Sequence, residues 1–308
     1  MRWPGRRRET NAPPRGAAPA IFIVGVARSG TTLLRLMLDA HPDLAIPPET
    51  HFIPRVIRAC RTGDDAHAAA LKAITSHRRW PDFGLDAEVL RERFAAHRRL
   101  SAGDAMREFY GLYAAKHQKT RWGDKSTNYV RRMRPISRIL PEARFVHLIR
   151  DGRDVARSLV AVHFGPDSVP AAAKKWSAEI RKARRQGPRL PGYLELRYED
   201  LIDDPEAVLR RVCEATELPW DDAMLDYQER AGERISEIVR DLDRGEGEAV
   251  TAEARAAHQE NVSKPLRADR AGRWRTEMLA GEIAEFERIA GDVLDELGYE
   301  RGSATRSV

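Results

Sequence analysis

The chain is predicted to be an α/β protein, with a three-layer, P-loop-like fold in which helices flank a central parallel sheet and a helical insertion follows the first βα unit. Three observations predict this. The apolar run Ala20-Ile21-Phe22-Ile23-Val24 leads directly into a glycine loop, Gly25-Val26-Ala27-Arg28-Ser29-Gly30-Thr31-Thr32. Strand-like runs recur at Arg144–Ile149 and Tyr193–Arg197, with a shorter one near Arg121–Asp124, and helical stretches separate them. Between the first and second strands, residues 54–118 read as helical and rich in arginine and histidine.

Taken in order, the first strand and its loop carry the strongest signal. A P-loop is G-x-x-x-x-G-K-[ST] between a buried strand and a helix. Here both glycines and the final threonine are present, but Thr31 fills the lysine slot and Arg28 supplies a cation inside the loop. Gly25 and Gly30 let the backbone turn tightly and approach an anion. Residues Thr31 to Ala40 have helical composition, so their unpaired amino-terminal N–H groups would face the loop. The insertion follows, with helices expected over 54–61, 65–77, 86–98 and 101–118. Further helices are expected over 129–140, 151–162, 169–186 and 205–215. Segment 241–252 reads as a polar loop, and Leu279 to Leu297 as an amphipathic helix with Gly298 as its C-cap.

Bulk composition narrows the function classes. A chain of 308 residues, 42% hydrophobic and 32% charged, fits an ordinary globular protein able to bury a sizeable core. The net charge of +6 includes +4 from residues 1–19, where five arginines face one glutamate. A basic pI therefore fits a small anionic ligand as well as nucleic acid. The proline-rich tail is expected to be disordered, and it lacks the apolar core of a secretory signal. No run approaches the ~18 apolar residues of a membrane span. Two cysteines, Cys60 and Cys213, argue against a disulfide framework and for a reduced, cytoplasmic setting.

A second unit is Arg144-Phe-Val-His-Leu-Ile-Arg150-Asp-Gly-Arg153-Asp-Val-Ala-Arg157-Ser158. An arginine at the carboxyl end of a strand plus a serine two helical turns on can grip a second phosphate by charge-assisted bonds. Local helix capping by Arg150 and Asp151 accounts for the same residues equally well.

Together the two units resemble the sulfotransferases that use 3′-phosphoadenosine 5′-phosphosulfate (PAPS). Ser29-Gly-Thr-Thr-Leu-Leu-Arg35, Leu38-Asp-Ala-His-Pro-Asp43, Glu49-Thr50 and Ile53-Pro-Arg55 are most similar to the tyrosylprotein branch and its bacterial relatives. The resemblance implies that Arg28, Ser29, Gly30, Thr31 and Thr32 hold the 5′-phosphosulfate, and that Arg150 and Ser158 hold the 3′-phosphate. It implies a second cation, Lys125 in Trp122-Gly-Asp-Lys-Ser-Thr, and a catalytic base, Glu49, after Pro47-Pro48. Tyr198, Ser236 and Lys264 are further candidates for the nucleotide, the last near Gly272-Arg273-Trp274. His51 and Arg55 are candidates for the acceptor, Arg55 sharing a helix face with Arg58 and Arg61. His41, His51, His147 and His163 are alternative bases. No metal is expected, and no His/Cys cluster has zinc spacing.

The expected partner is a hydroxyl-bearing acceptor, either a tyrosine peptide or a small molecule such as a phenol, sugar or natural product. Neither nucleic acid nor membrane is expected, and a homodimer is left open. Residues 20–300 are read as one sulfotransferase domain with 54–118 shaping the acceptor pocket, and 301–308 as a flexible end. Two departures bear on the acceptor and donor: His51 stands where the tyrosylprotein enzymes carry arginine, and Val162 replaces an arginine of theirs. Their paired cysteines near positions 49 and 125 are absent. A P-loop kinase is disfavoured by Thr31 in the lysine slot and by the lack of a strand-borne aspartate of Walker B type. A polyanion binder is disfavoured by the lack of a basic stripe interleaved with aromatics.

Overall fold

The computed structural model describes residues 16–62, 65–162, 165–237, 242–243, 249–250 and 270–302. Strand β1 (Ala20–Val24) is buried at every position, as a central strand covered on both faces must be. Ala20, Phe22 and Val24 pack into one apolar cluster, and Ile21 and Ile23 into another. Five parallel strands lie in the order β2-β3-β1-β4-β5, with β2 at Leu44–Ala45, β3 at Arg121–Lys125, β4 at Ala143–Ile149 and β5 at Leu194–Arg197. Ile23 lies opposite Lys125 on one side of β1, and Val24 opposite His147 on the other. The carboxyl ends of β1, β3 and β4 are thus neighbours, and this is the edge where open α/β sheets bind ligands.

Helix α1 (Thr31–Asp39) covers one face, where its buried leucines and Met37 meet Ile21 and Ile23. The insertion covers the other face as α2 (Ile53–Thr62), α3 (Ala66–Thr75), α4 (Trp80–Phe83), α5 (Ala87–Ala95) and α6 (Ala102–Lys116). An aromatic cluster welds it to the sheet. Phe52 and Phe109 meet edge-on at 5.0 Å, and Tyr110 reaches Phe22 at 6.2 Å. Helix α6 starts at a capping box formed by Ser101 and Asp104. The second half of the chain adds α7 (Met133–Ile139), α8 (Gly152–Val160), α9 (Val169–Gln186), α10 (Tyr198–Asp203), α11 (Pro205–Thr216) and α12 (Gln228–Ser236). Helices α13 (Trp274–Glu277) and α14 (Ala280–Glu296) join α8 and α9 in a third cluster around Ile149, Trp176 and Phe286. Gly298 follows α14 at φ 72°, the left-handed turn expected of it.

The differences from expectation are local. Strand β2 has only two residues, too few to show a period. The stretch 129–140 divides into a 3₁₀ turn at Thr127–Arg131 and α7. Segment 241–252, expected as a loop, contains two antiparallel two-residue strands, Leu242–Asp243 and Ala249–Val250. Among the described residues no helix is long and apolar enough to cross a membrane.

Candidate active site

The loop after β1 is shaped by two left-handed residues. Gly30 takes φ 87°, and a Cβ there would sit 2.3 Å from the Tyr198 ring. Arg28 takes φ 74°, a conformation that costs a residue with a side chain about 1–2 kcal/mol. No side chain caps the first turn of α1, so the orphan amides of Thr31, Thr32 and Leu33 point into the loop.

Arg28 and Arg150 converge over this loop. Arg28 donates from Nε to Ser158 Oγ at 2.9 Å. Arg150 donates to the Arg28 carbonyl at 3.2 Å and to the Arg270 carbonyl at 2.7 Å, and its guanidinium lies 4.6 Å from the centre of the Tyr198 ring. Burial first, and Arg150 second, push the Arg28 pKa down. Two cations that repel each other in a partly desolvated place form a cradle that an anion relieves. Among the described residues the buried Ser29 hydroxyl and Arg150 Nε have no hydrogen-bond partner. These residues fit a nucleotide with anionic groups at both its 5′ and 3′ positions. Asp151 accounts for the capping alternative: it caps α8 by accepting from the Arg153 amide at 2.9 Å, while Arg150 turns toward the loop. Asp154 accepts the amides of Gly272 (2.9 Å) and Trp274 (2.8 Å), which docks that segment beside Arg150.

Across from the cradle stands a carboxylate–ammonium pair. Lys125, at the end of β3, donates to Glu49 Oε1 at 3.1 Å and to Thr32 Oγ1 at 3.4 Å. Glu49 Oε2 meets His51 Nε2 at 2.9 Å and Arg79 at 3.5 Å, and Thr127 reaches Oε1 at 3.5 Å. Burial works to raise the Glu49 carboxyl, but Lys125, then His51 and Arg79, outweigh it and hold it well below the usual carboxylate range. Burial lowers Lys125, and Glu49 opposes that shift.

The structure therefore brings together Arg28, Ser29, Gly30, Thr31, Thr32, Glu49, His51, Lys125, Arg150, Ser158 and Tyr198. Ser158 is held by Arg28 rather than by Arg150. Ser236 is a correction: it sits exposed at the far end of α12 and donates to the Glu233 carbonyl of its own helix. It is the beginning of α12, at Tyr227, that packs toward Tyr198. Lys264 and His163 lie outside the described residues. Arg55 is exposed and bonded to Ser76, away from Glu49. Arg58 and Arg61 instead line a cavity of about 530 Å³ with Arg132 and Arg138. His41 binds the Pro219 carbonyl, and His147 is buried in β4 against Tyr193, so neither faces Glu49. Sequence reasoning missed Arg79, Thr127 and Asn128, the last 3.4 Å from His51. Thr127 and Asn128 adjoin the Lys125 motif and could have been found from it; Arg79, in an arginine-rich stretch, carries no distinguishing signal. Among the described residues no group of three or more histidine, cysteine or acidic side chains could hold a metal.

A lysine-free phosphate loop facing a carboxylate–ammonium pair across the carboxyl edge of a parallel sheet defines a group-transfer enzyme. Residues 19–222 match the sequence profile of the Sulfotransferase family, and the chain belongs to it. It is a transferase of the PAPS-using kind. It is similar to protein-tyrosine sulfotransferase A of Caenorhabditis elegans, with 27% identity over 92% of this chain and 68% of that one. The protein-tyrosine sulfotransferase of Drosophila melanogaster is 26% identical over 92% of this chain, which spans about half (52%) of that relative's length. Its fold is shared with the sulfotransferase domain of the Synechococcus PCC 7002 olefin synthase, with a TM-score of 0.61 and 24% identity over 93% and 98% of the two chains.

Proposed function

We propose that this chain moves the sulfuryl group of PAPS to the phenolic oxygen of a tyrosine in a peptide or protein, with residues 20–300 acting as one catalytic domain. The observation that carries this reading is the bridge Thr32–Lys125–Glu49, in which one ammonium touches both the donor loop and the Glu49 carboxylate. PAPS, when bound, supplies a sulfuryl group on a phosphate leaving group. The α1 amides and Arg28 would stabilise the charge that grows on that phosphate, and Lys125, beside Thr32 of the loop, would supply a second cation to it. Glu49 takes the phenol proton as the new O–S bond forms and the old S–O bond breaks, its electron pair leaving on the phosphate. Arg150, Ser158 and the ring of Tyr198 hold the 3′ side of the nucleotide.

Glu49 already receives Lys125, Thr127, His51 and Arg79, so an acceptor hydroxyl must displace one of them. Lys125 has a second partner in Thr32. The protein-tyrosine sulfotransferases that the chain resembles support a tyrosine acceptor. His51 in place of an arginine favours a less acidic acceptor, and a small phenol is the second reading. A cysteine count of two supports a reduced, cytoplasmic setting as part of this proposal. Labelled PAPS offered with tyrosine peptides and with phenolic and sugar metabolites tests the reading. Transfer to a peptide is expected; transfer to a metabolite alone replaces tyrosine as the acceptor.

A further inference from the structure

The segment that carries Glu49 has little regular structure of its own: it follows Pro47-Pro48 and ends where α2 begins at Ile53. His51 within it takes φ 60°, a left-handed conformation that nothing local favours. Something else must hold these residues, and the structure shows what it is. Thr50, next to Glu49, donates from Oγ1 to Asp124 Oδ2 at 2.7 Å, and its amide donates to Ser126 Oγ at 3.1 Å. Asp124 and Ser126 flank Lys125 in sequence. The Glu49–Lys125 pair is therefore held in register by bonds from its chain neighbours on both sides of the lysine.

The hydrogen-bond chain has a direction. The Ile53 amide donates to Tyr129 OH at 3.1 Å, and Tyr129 OH lies 2.8 Å from Thr50 Oγ1. Because the Thr50 proton goes to Asp124, Tyr129 donates to Thr50. The chain thus starts at the first amide of α2 and ends on a carboxylate, and charge at its end strengthens each link. Tyr110 OH donates to the same Asp124 oxygen at 2.8 Å and also lies within hydrogen-bonding reach of the Thr50 hydroxyl. Asp124, Thr50, Ser126 and Tyr129 are all buried.

We propose that Asp124 is the positioning residue of this site: acting through Thr50, it sets the register of Glu49 against Lys125. It touches neither donor nor acceptor. The inference rests on Glu49 being the base, but its test does not need turnover. The Glu49 carboxyl is followed by ¹³C NMR titration of the full chain, with the signal assigned through Glu49→Gln. The charged and titratable groups that face it are Lys125, His51 and Arg79.

Thr50→Val removes the link at nearly constant volume. It is expected to raise the Glu49 midpoint by about one pH unit, because Lys125 no longer sits at contact distance. Thr50→Ser restores the hydroxyl and should restore the midpoint. Tyr110→Phe deletes another bond to the same carboxylate but leaves the bond from Thr50 to Asp124, so its rise should be smaller than that of Thr50→Val, whatever it does to stability. Tyr129→Phe breaks the chain one link further up, gives a smaller rise, and decides the matter if the valine variant does not fold. In assays with labelled PAPS, Thr50→Val should lose 10-fold or more in kcat while the Kd for 3′-phosphoadenosine 5′-phosphate stays within threefold, on the order expected for a misplaced base. An unmoved midpoint in Thr50→Val, or an equal shift in Tyr110→Phe, overturns the proposal. Absence of any sulfuryl transfer with the midpoints shifting as stated would refute the function while leaving the positioning intact.

Discussion

The two halves of the site are built by different means. The donor half is made mainly of two strand–loop–helix units, β1 to α1 and β4 to α8, with Arg28 and Arg150 close after their strands, Ser158 further along α8, and Tyr198 added from the end of β5. The anion affinity proposed for it rests on backbone amides and two arginines. The acceptor half joins segments far apart in sequence: Glu49 and His51 before α2, Arg79 from the insertion, Lys125 at the end of β3 and Thr127 just after it. The donor half can be assembled from local rules, whereas the acceptor half exists only once the insertion has packed on the sheet. Substitutions in the first should weaken nucleotide binding, and those in the second should slow transfer.

The largest effect expected is on transfer. Glu49→Gln should lower kcat by about 10²–10⁴-fold, with the Kd for 3′-phosphoadenosine 5′-phosphate by calorimetry within a few-fold of the parent. A variant that loses affinity instead would merge the two halves. Next comes Arg150→Ala, which removes charge-assisted hydrogen bonds worth roughly 1.5–3 kcal/mol and should weaken that nucleotide by about 10- to 100-fold. Arg150→Lys should rescue it poorly, because a point charge cannot serve two carbonyls and stack on Tyr198 together.

Gly30→Ala is smaller in energy and confined to the donor half. The positive φ costs about 1–2 kcal/mol, and the added carbon displaces the Tyr198 ring, so Tm and nucleotide affinity should both fall. Acid stability sharpens the other side. The native Glu49 carboxyl is held below its unfolded value of about 4.3, so over the interval between the two the unfolded chain binds more protons. Stability from this group is full above the unfolded value and is lost as pH falls through the native one. Urea titrations between pH 5 and 3 should therefore show a shallower decline in Glu49→Gln than in the parent. The smallest effect is Ser236→Ala, expected to change neither nucleotide affinity nor kcat measurably, since its hydroxyl serves its own helix.

How much of this was legible follows from the same division. The five-residue β1 was readable because both faces of a central parallel strand are apolar, and the loop after it because glycine and a displaced cation stand in a fixed pattern. Strand β2 was not, because two residues have no period. Ser236 was misplaced because an alignment along α12 cannot tell its site-facing start from its exposed end.

By itself the sequence determined the parallel sheet, the phosphate loop with Arg28 in place of the lysine, and the arginine at the end of β4. These depend on strand periodicity and on chain neighbours, which are local. Only the tertiary structure decided that Ser158 belongs to Arg28, that Arg79 reaches Glu49, and that Asp124 and Ser126 hold Thr50 beside Lys125. Those contacts join residues 30 to 130 positions apart, and buried groups so far apart in sequence meet only when helix and sheet layers pack together.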